Sequence, residues 1–204
     1  YHGAAYFDKA RFSGVTSELA PGLEGEALDT ANSNTFKKLY DSAMSSRGKF
    51  VIGLGRLSSG SSSHSSFSVL KAAGIINETF TIQPAFAGTT IYHHNGDHDI
   101  NLWDLVHGRV DVAFTWEVEG MIVNADGSFG PLTPALFDGY DDDGLQLASG
   151  NMEEVIDPAD FVARFGVAAH TVGPIPNAPI IVLKDGIFAT EAARSALVDT
   201  VSYA

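Results

Sequence analysis

Short apolar runs separated by helix-like segments are the feature that most constrains the fold of this chain. The runs are residues 50–54, 110–116 and 180–183. The segments with near-helical apolar spacing are residues 30–44, 67–74, 99–107 and 190–200. Strands that alternate with helices predict an α/β fold whose largely parallel sheet is covered on both faces.

Punctuating residues set the ends of several predicted elements. Ser33 or Asn34 is a candidate N-cap for the first helix, and Gly48, Gly74 and Gly108 are expected to end helices. The remaining expected elements are a second strand over 80–86, a helix starting at 158–161, a short strand over 167–171 and an extended link over 174–179. Residues 1–12 carry four aromatic side chains without a clean period.

Charge and cysteine content exclude several classes of function. The 12 basic and 25 acidic residues give a formal net charge of −13, which disfavours general binding to nucleic acids or anionic membranes. Cysteine is absent, so disulfides, thiolate nucleophiles and zinc–thiolate sites are excluded together. The apolar runs are too short to span a bilayer. Because the chain begins at Tyr1 with no basic and apolar leader, we expect a processed chain or a fragment.

A serine-rich loop is the sharpest local feature with chemical potential. Ser58, Ser59, Ser61 and Ser62 surround Gly60 between a predicted strand and a predicted helix. Hydroxyls, backbone N–H groups and a helix start together suit an oxyanion such as phosphate, phosphonate or sulfate. A flexible, solvated Ser/Gly loop is the structural alternative.

Three other polar clusters carry weaker signals. The His93–Asp99 cluster could bind a metal, but a polar loop before a helix, with one histidine donating to an anion, fits better because no metal-ligand spacing occurs. The acidic run 138–144 lacks the carboxylates of a calcium loop at its first and twelfth positions. The sequon at Asn77 matters only in a secretory pathway.

Taken in order, several motifs resemble the phosphate/phosphite/phosphonate substrate-binding proteins of ABC importers. They are the serine turn 58–62, Asp97-His98-Asp99-Ile100-Asn101, Gly108-Arg109-Val110-Asp111-Val112-Ala113, Glu119-Gly120-Met121 and Pro174-Ile175-Pro176-Asn177-Ala178-Pro179-Ile180-Ile181-Val182. The likeness covers about residues 50–201 and implies a type II periplasmic-binding-protein fold. Such a fold has two α/β lobes, two crossing strands and a ligand cleft. The chain would supply mainly the second lobe and part of the first.

The resemblance divides the chain and assigns its site. Residues 1–49 would be a remnant of lobe one or an addition to it, residues 50–170 lobe two, and residues 171–204 the return strand and C-terminal helix. Ser58, Ser59 and Ser61 would bind the oxyanion beside His98, and the chemistry of the loop adds Ser62. Glu119 would meet a ligand amine, with Glu117 as the alternative. Gly60 and Ser61 stand in the reverse of the family order, and much of lobe one is missing.

The function expected from these features is non-catalytic binding of a small phosphorus oxyanion, without cofactor or metal. A membrane transporter or a larger assembly would be the partner, and the location would be extracytoplasmic, either periplasmic or lipid-anchored. The alternative is a structural or interaction subunit, organellar in a eukaryotic host, that kept the fold and lost the ligand. A serine hydrolase is disfavoured because no Gly-x-Ser-x-Gly elbow occurs.

Overall fold

The structure is a computed structural model that describes residues 2–20, 23–55, 65–79, 81–96, 98–117, 145–149, 152–156, 158–170 and 190. The described helices are α1 (Gly25–Arg47), α2 (Ser65–Ala72), α3 (His98–Val106) and α4 (Pro158–Arg164), with a 3₁₀ turn at Pro84–Phe86. The described strands are β1 (His2–Asp8), β2 (Phe50–Gly55), β3 (Thr90–Gly96), β4 (Val112–Glu117), β5 (Leu145–Ser149), β6 (Met152–Ile156) and β7 (Phe165–His170).

Five of the strands form one mixed sheet in the order β3-β2-β4-β1-β7. Strand β2 is parallel to β3 and β4, whereas β1 is antiparallel to both of its neighbours. Four of the five strands therefore run in the same direction. We call the edge where these four begin the amino edge and the edge where they end the carboxyl edge. Strands β5 and β6 form a separate antiparallel hairpin that packs against α3.

Helices lie on both faces of the sheet. Successive residues of a strand point to opposite faces, so each strand contributes side chains to both layers. Phe50, Ile52 and Leu54 of β2 lie on the face covered by α1 and α2. Ala4 and Tyr6 of β1 lie on the other face, among apolar side chains of α3 and α4. The result is a three-layer helix–sheet–helix arrangement, which confirms the predicted α/β class.

Helix α1 is longer than its sequence period predicts. It begins at Gly25 after Glu24, so the predicted N-cap at Ser33 or Asn34 is wrong. Both residues lie inside the helix, and the Asn34 amide donates to Glu18 instead of capping. The first two turns hold few apolar residues, so their sequence shows no helical stripe. The predicted end is confirmed, because Gly48 adopts a left-handed φ of 66° after the last turn.

The strand predicted over residues 80–86 is also wrong. Pro84, which has no backbone N–H to donate, starts a 3₁₀ turn there, and Ile82 makes only an isolated bridge to Ile76. The strand that pairs with β2 is β3, which begins at Thr90. His93 therefore lies on a strand and not in the polar loop expected before α3.

Most other predicted elements that can be compared are confirmed, with small shifts at their ends. The strands expected at 50–54, 110–116 and 167–171 correspond to β2, β4 and β7. The helices expected at 67–74, 99–107 and 158–161 correspond to α2, α3 and α4. Gly74 and Gly108 have positive φ values, as expected of residues that end helices. The predictions for 174–179, 180–183 and 190–200 lie outside the described residues, apart from Thr190.

The N-terminal segment is part of the same sheet as the residues that follow it. Strand β1 lies between β4 and β7, and α1 contributes to the core beneath β2. Phe36 of α1 stacks on Phe114 of β4 with ring centroids 5.7 Å apart. The described residues before and after residue 49 thus share one sheet and one core; the domain boundary at residue 49, and its assignment to lobe one, stay predictions.

A buried carboxylate joins four segments at the amino edge. Asp111 precedes β4, and its Oδ1 lies 3.0 Å from Arg11 Nη2 and 2.7 Å from Arg47 Nη2. The Val51 N–H donates to Asp111 Oδ2 over 2.8 Å, and the Asp111 N–H donates to the Val51 carbonyl over 2.7 Å. Burial lowers the pKa of the Arg11 guanidinium, while the nearby Asp111 acts in the opposite direction. The aspartate of the sequence motif 108–113 is therefore a structural residue.

Replacing this carboxylate tests its structural role. We expect Asp111→Ala to lower the free energy of unfolding by about 3–5 kcal/mol, because two partly buried guanidinium groups and one backbone N–H lose their acceptor. The exposed Asp41 on α1 provides the matched control, and Asp41→Ala should change stability by no more than about 0.5 kcal/mol. Urea unfolding of both variants measures the difference. Similar transition midpoints would contradict the role given to Asp111.

Candidate functional site

All three chain segments that carry predicted site residues leave the sheet at the carboxyl edge. The serine-rich segment follows Gly55, the last residue of β2. His98 starts α3 directly after β3, and the segment with Glu119 follows Glu117, the last residue of β4. Parallel strands end at the same edge, so the topology brings these segments to one side of the sheet.

The sheet reverses its winding between β2 and β4. The chain passes from β2 through α2 to β3 on one side, and then through α3 to β4 on the other side. Strands β2 and β4 pair only at Ile52–Val112 and Gly53–Ala113. Beyond Gly53 no further pairs between β2 and β4 form within the described strands. In open α/β sheets, ligands bind in the crevice at such a reversal.

Asn101 of α3 lies where the pairing of β2 with β4 ends. Its Nδ2 donates to the carbonyl of Gly53 on β2 over 3.0 Å and to the carbonyl of Phe114 on β4 over 2.6 Å. The side chain is fully buried. Two carbonyl acceptors fix the orientation of the amide, and its Oδ1 has no hydrogen-bond partner in the described part of the chain. Asn101 therefore connects the two strands where their own pairing stops.

Gly53 makes room for the Asn101 amide. A Cβ atom at residue 53 would lie 2.2 Å from Asn101 Oδ1, and 3.3 Å from a methyl carbon of Val110. Both neighbours are buried, so neither can move into solvent. The glycine is therefore required by close approach, not by a turn, since its backbone is that of an ordinary strand.

Three helices begin at the carboxyl edge. Helices α2 and α3 follow strands that end there. Helix α1 runs in the same sense, because Asn32 near its start contacts the last residue of β7 and Arg47 at its end contacts Asp111 at the amino edge. Helix amino termini carry unpaired N–H groups and a partial positive charge. The amino termini of these three helices therefore contribute partial positive charge to this edge.

A second buried amide fixes the end of β7. Asn32 Nδ2 donates to the His170 carbonyl over 2.8 Å, and the His170 N–H donates to Asn32 Oδ1 over 3.0 Å. Both hydrogen bonds are buried, and they act as a substitute strand partner for the last residue of β7. One extra residue in β7, between its pairs with Ala5 and Tyr6, forms a bulge just before this point.

The structure describes only part of the predicted site. Ser58, Ser59, Ser61, Ser62 and Glu119 lie outside the described residues, so their convergence on His98 stays a prediction. The described backbone places His98 at the first position of α3 and Glu117 at the last position of β4. The acidic run 138–144 also lies outside the described residues.

The described part of the histidine cluster makes a structural contact. His93 Nδ1 lies 3.5 Å from Asp104 Oδ2, and Arg109 Nη1 lies 3.3 Å from Asp104 Oδ1. Within the described ranges, no three His, Asp or Glu side chains come close enough to hold a metal ion. At the sequon, Asn77 Oδ1 accepts hydrogen bonds from Thr79 and Thr81, which forms a compact surface turn.

Sequence reasoning does not select Asn101, Asn32 or His170. The signal for the two asparagines is a polar residue at a core-facing position of an otherwise apolar helix stripe. Their partners are backbone groups far away in the chain, which no local pattern encodes. For His170, burial at the last position of a strand is the only sign, and it needs the structure.

Comparison with known proteins gives this chain no family: no protein-family model, curated protein or solved structure matches it. Among the described helices, none combines the length and the apolar character needed to cross a bilayer.

The contact between Gly53 and Asn101 can be tested by adding one methyl group. We expect Gly53→Ala to cost about 1–3 kcal/mol of folding stability, because the new Cβ overlaps Asn101 Oδ1. A Cβ at Gly14 would meet no heavy atom within 4 Å, so Gly14→Ala is the matched control and should be neutral or slightly stabilising. Thermal unfolding compares the two. Equal melting temperatures for Gly53→Ala and Gly14→Ala would show that the Asn101 side chain can move aside without loss of stability.

The two hydrogen bonds between Asn32 and His170 lead to a prediction about the end of β7. Replacing Asn32 by Leu removes both hydrogen bonds to His170, so we expect the His170 amide to exchange with solvent at least about fivefold faster, since it loses a bond worth about 1 kcal/mol or more. The neighbouring variant Ser33→Ala leaves both bonds in place and serves as the control. Hydrogen exchange followed by NMR gives the rates. Unchanged protection of His170 would mean that another group holds the end of β7.

Proposed function

We propose that this chain is a non-catalytic binding protein for a small phosphorus oxyanion, such as phosphate, phosphite or phosphonate. In this proposal it serves an ABC importer as the solute-binding component, outside the cytoplasm, and hands its ligand to a membrane transporter. Ser58, Ser59, Ser61, Ser62 and His98 bind the oxyanion, and Glu119 meets an amine on ligands that carry one.

The observation that carries the proposal is the reversal of winding between β2 and β4. The serine-rich segment follows one of these strands and the Glu119 segment follows the other, while α3 begins beside them at His98. A winding reversal of this kind is the usual ligand position in open α/β sheets. The residues chosen from the sequence motifs thus belong to segments that leave the sheet around one crevice.

The strand arrangement also supports the finer proposal of a type II periplasmic-binding-protein fold. Strand β1 begins at the carboxyl edge and β7 ends there, and the two strands are neighbours, with Ala4 paired to His170. Two adjacent strands that meet one edge fit two crossings to a second lobe above the crevice. The predicted extended link at 174–179 would continue from β7 in the same direction. In this proposal, the described sheet is mainly the second lobe.

The placement of the charged side chains in the described part of the chain favours binding of an anion by uncharged donor groups. Arg11 and Arg47 bind Asp111, and Arg164 binds Asp8, all at the amino edge. At the carboxyl edge the described polar side chains include the amides of Asn32 and Asn101. Hydroxyl and amide donors, helix amino termini and one histidine can bind an oxyanion without a full counter-charge. Catalysis is not part of the proposal, because a nucleophilic serine requires a positioned base and a group that orients that base.

Titration calorimetry on the full chain tests the proposal. Phosphate, phosphite and methylphosphonate are the probes, and at least one of them should bind to the wild-type protein. His98→Ala should weaken that binding by roughly ten- to a hundredfold, because a charge-assisted hydrogen bond contributes about 1.5–3 kcal/mol. His93→Ala, which removes a half-exposed histidine of β3, should leave the affinity unchanged.

Two results would contradict the proposal. If none of the three probes binds to the wild-type chain, the alternative of a structural subunit without a ligand is favoured. If the chain hydrolyses a phosphate ester and a Ser61→Ala or Ser62→Ala variant does not, the protein is an enzyme and the non-catalytic assignment fails.

A further inference from the structure

Asn101 occupies a position that relates the strand ends to the start of α3. It lies three residues after His98, and residues three apart are neighbours on the surface of a helix. Its amide donates to the carbonyls of Gly53 on β2 and Phe114 on β4. The first turn of α3 is thereby attached to both strands by one side chain.

The contacts of this side chain are more specific than packing requires. A leucine would fill a similar volume in the apolar layer between α3 and the sheet. Asn101 instead makes two buried hydrogen bonds, and its fully buried Oδ1 has no hydrogen-bond partner among the described residues. A buried acceptor without a partner is unfavourable, so this arrangement costs some stability. Gly53, which leaves the space that the amide fills, is the second half of the same arrangement.

We propose that Asn101 is a positioning residue of the anion site. It does not touch the ligand, but it sets the distance and angle between the start of α3, which bears His98, and the end of β2, which leads into the serine-rich segment. This inference rests on the function proposed above. It adds that the affinity contributed by His98 depends on the amide bridge between α3 and the two strands.

A double-mutant cycle separates positioning from a general loss of stability. Phosphate binding, or binding of whichever probe the wild type prefers, is measured by calorimetry for the wild type, His98→Ala, Asn101→Ala and the double variant. We expect Asn101→Ala alone to weaken binding about tenfold or more. In the Asn101→Ala background, we expect His98→Ala to weaken binding by less than about threefold, because the imidazole is already misplaced.

Two further variants protect the test against a simple failure to fold. Asn101→Leu keeps the volume without the hydrogen bonds, and Gly53→Ala displaces the native amide by overlap with its Oδ1. Both should reduce the effect of His98→Ala in the same way. Thr35→Val is the matched control, since it removes one buried side-chain acceptor on α1, that of the Glu18 N–H. This control should lower the melting temperature and leave the full effect of His98→Ala.

The outcomes distinguish the two proposals. If the wild type binds no probe, the proposed function fails, and the positioning role falls with it. If the wild type binds and His98→Ala weakens binding equally in all backgrounds, only the positioning role is overturned. The positioning role is also overturned if His98→Ala has no effect in the wild type. It is overturned as well if all Asn101 and Gly53 variants fail to fold, because the bridge would then be purely structural.

Discussion

The pairing of β2 with β4 is the interaction on which the rest of the fold depends. At the amino edge, Asp111 and Val51 are joined in both directions, and the Asp111 carboxylate also holds Arg11 and Arg47. Two residues further along β2 the pairing ends at Gly53. Beyond this point the Asn101 amide, and not a direct strand pair, joins β2 and β4 through the carbonyls of Gly53 and Phe114. The winding of the sheet reverses between the same two strands, which is the position where open α/β sheets bind ligands.

The buried polar groups also differ between the amino edge and the carboxyl edge of the sheet. The amino edge contains a buried charged cluster, and breaking such a cluster is costly because each remaining charge loses its partner. The carboxyl edge instead contains neutral amides, Asn32 and Asn101, that bind backbone groups. Neutral groups add no charge of their own to the partial positive charge of the helix amino termini at this edge. The proposed anion site would therefore lie apart from the charged cluster of the amino edge.

The parts of the fold that the sequence predicts well are those with a strong local pattern. Strands β2 and β4 are short apolar runs, and α1, α2 and α3 end at glycines. Strand β1 escapes prediction because its central residues 4–7 are all buried, so a strand covered on both faces shows no alternation. The start of α1 is misplaced because its first turns lack an apolar stripe, and the strand at 80–86 fails because Pro84 favours a turn over a paired strand.

The residues of the candidate site also differ in how well the sequence predicts them. Its segments can be chosen from the sequence because serine, histidine and glycine follow predicted strands, and the topology brings those segments to one edge. The residues that shape the edge cannot be chosen, because the contacts of Asn101 with Gly53 and Phe114 join elements that meet only in three dimensions. Asp111 stands in a recognisable motif, but its two guanidinium partners come from separate N-terminal segments that carry no common pattern.

The hydrogen bonds at the end of β7 restrict the motion of this strand relative to the sheet. Asn32 holds both backbone groups of His170, and β1 pairs with the same residue through Ala4. Rotation about the backbone before His170 would break two buried hydrogen bonds, whereas rotation after it breaks none of these. The described end of β7, up to and including His170, is therefore held as part of the sheet. In the proposed type II fold, the sheet, the start of α3 and the Asn101 bridge would form one rigid body, so the ligand would meet a preformed half of its site.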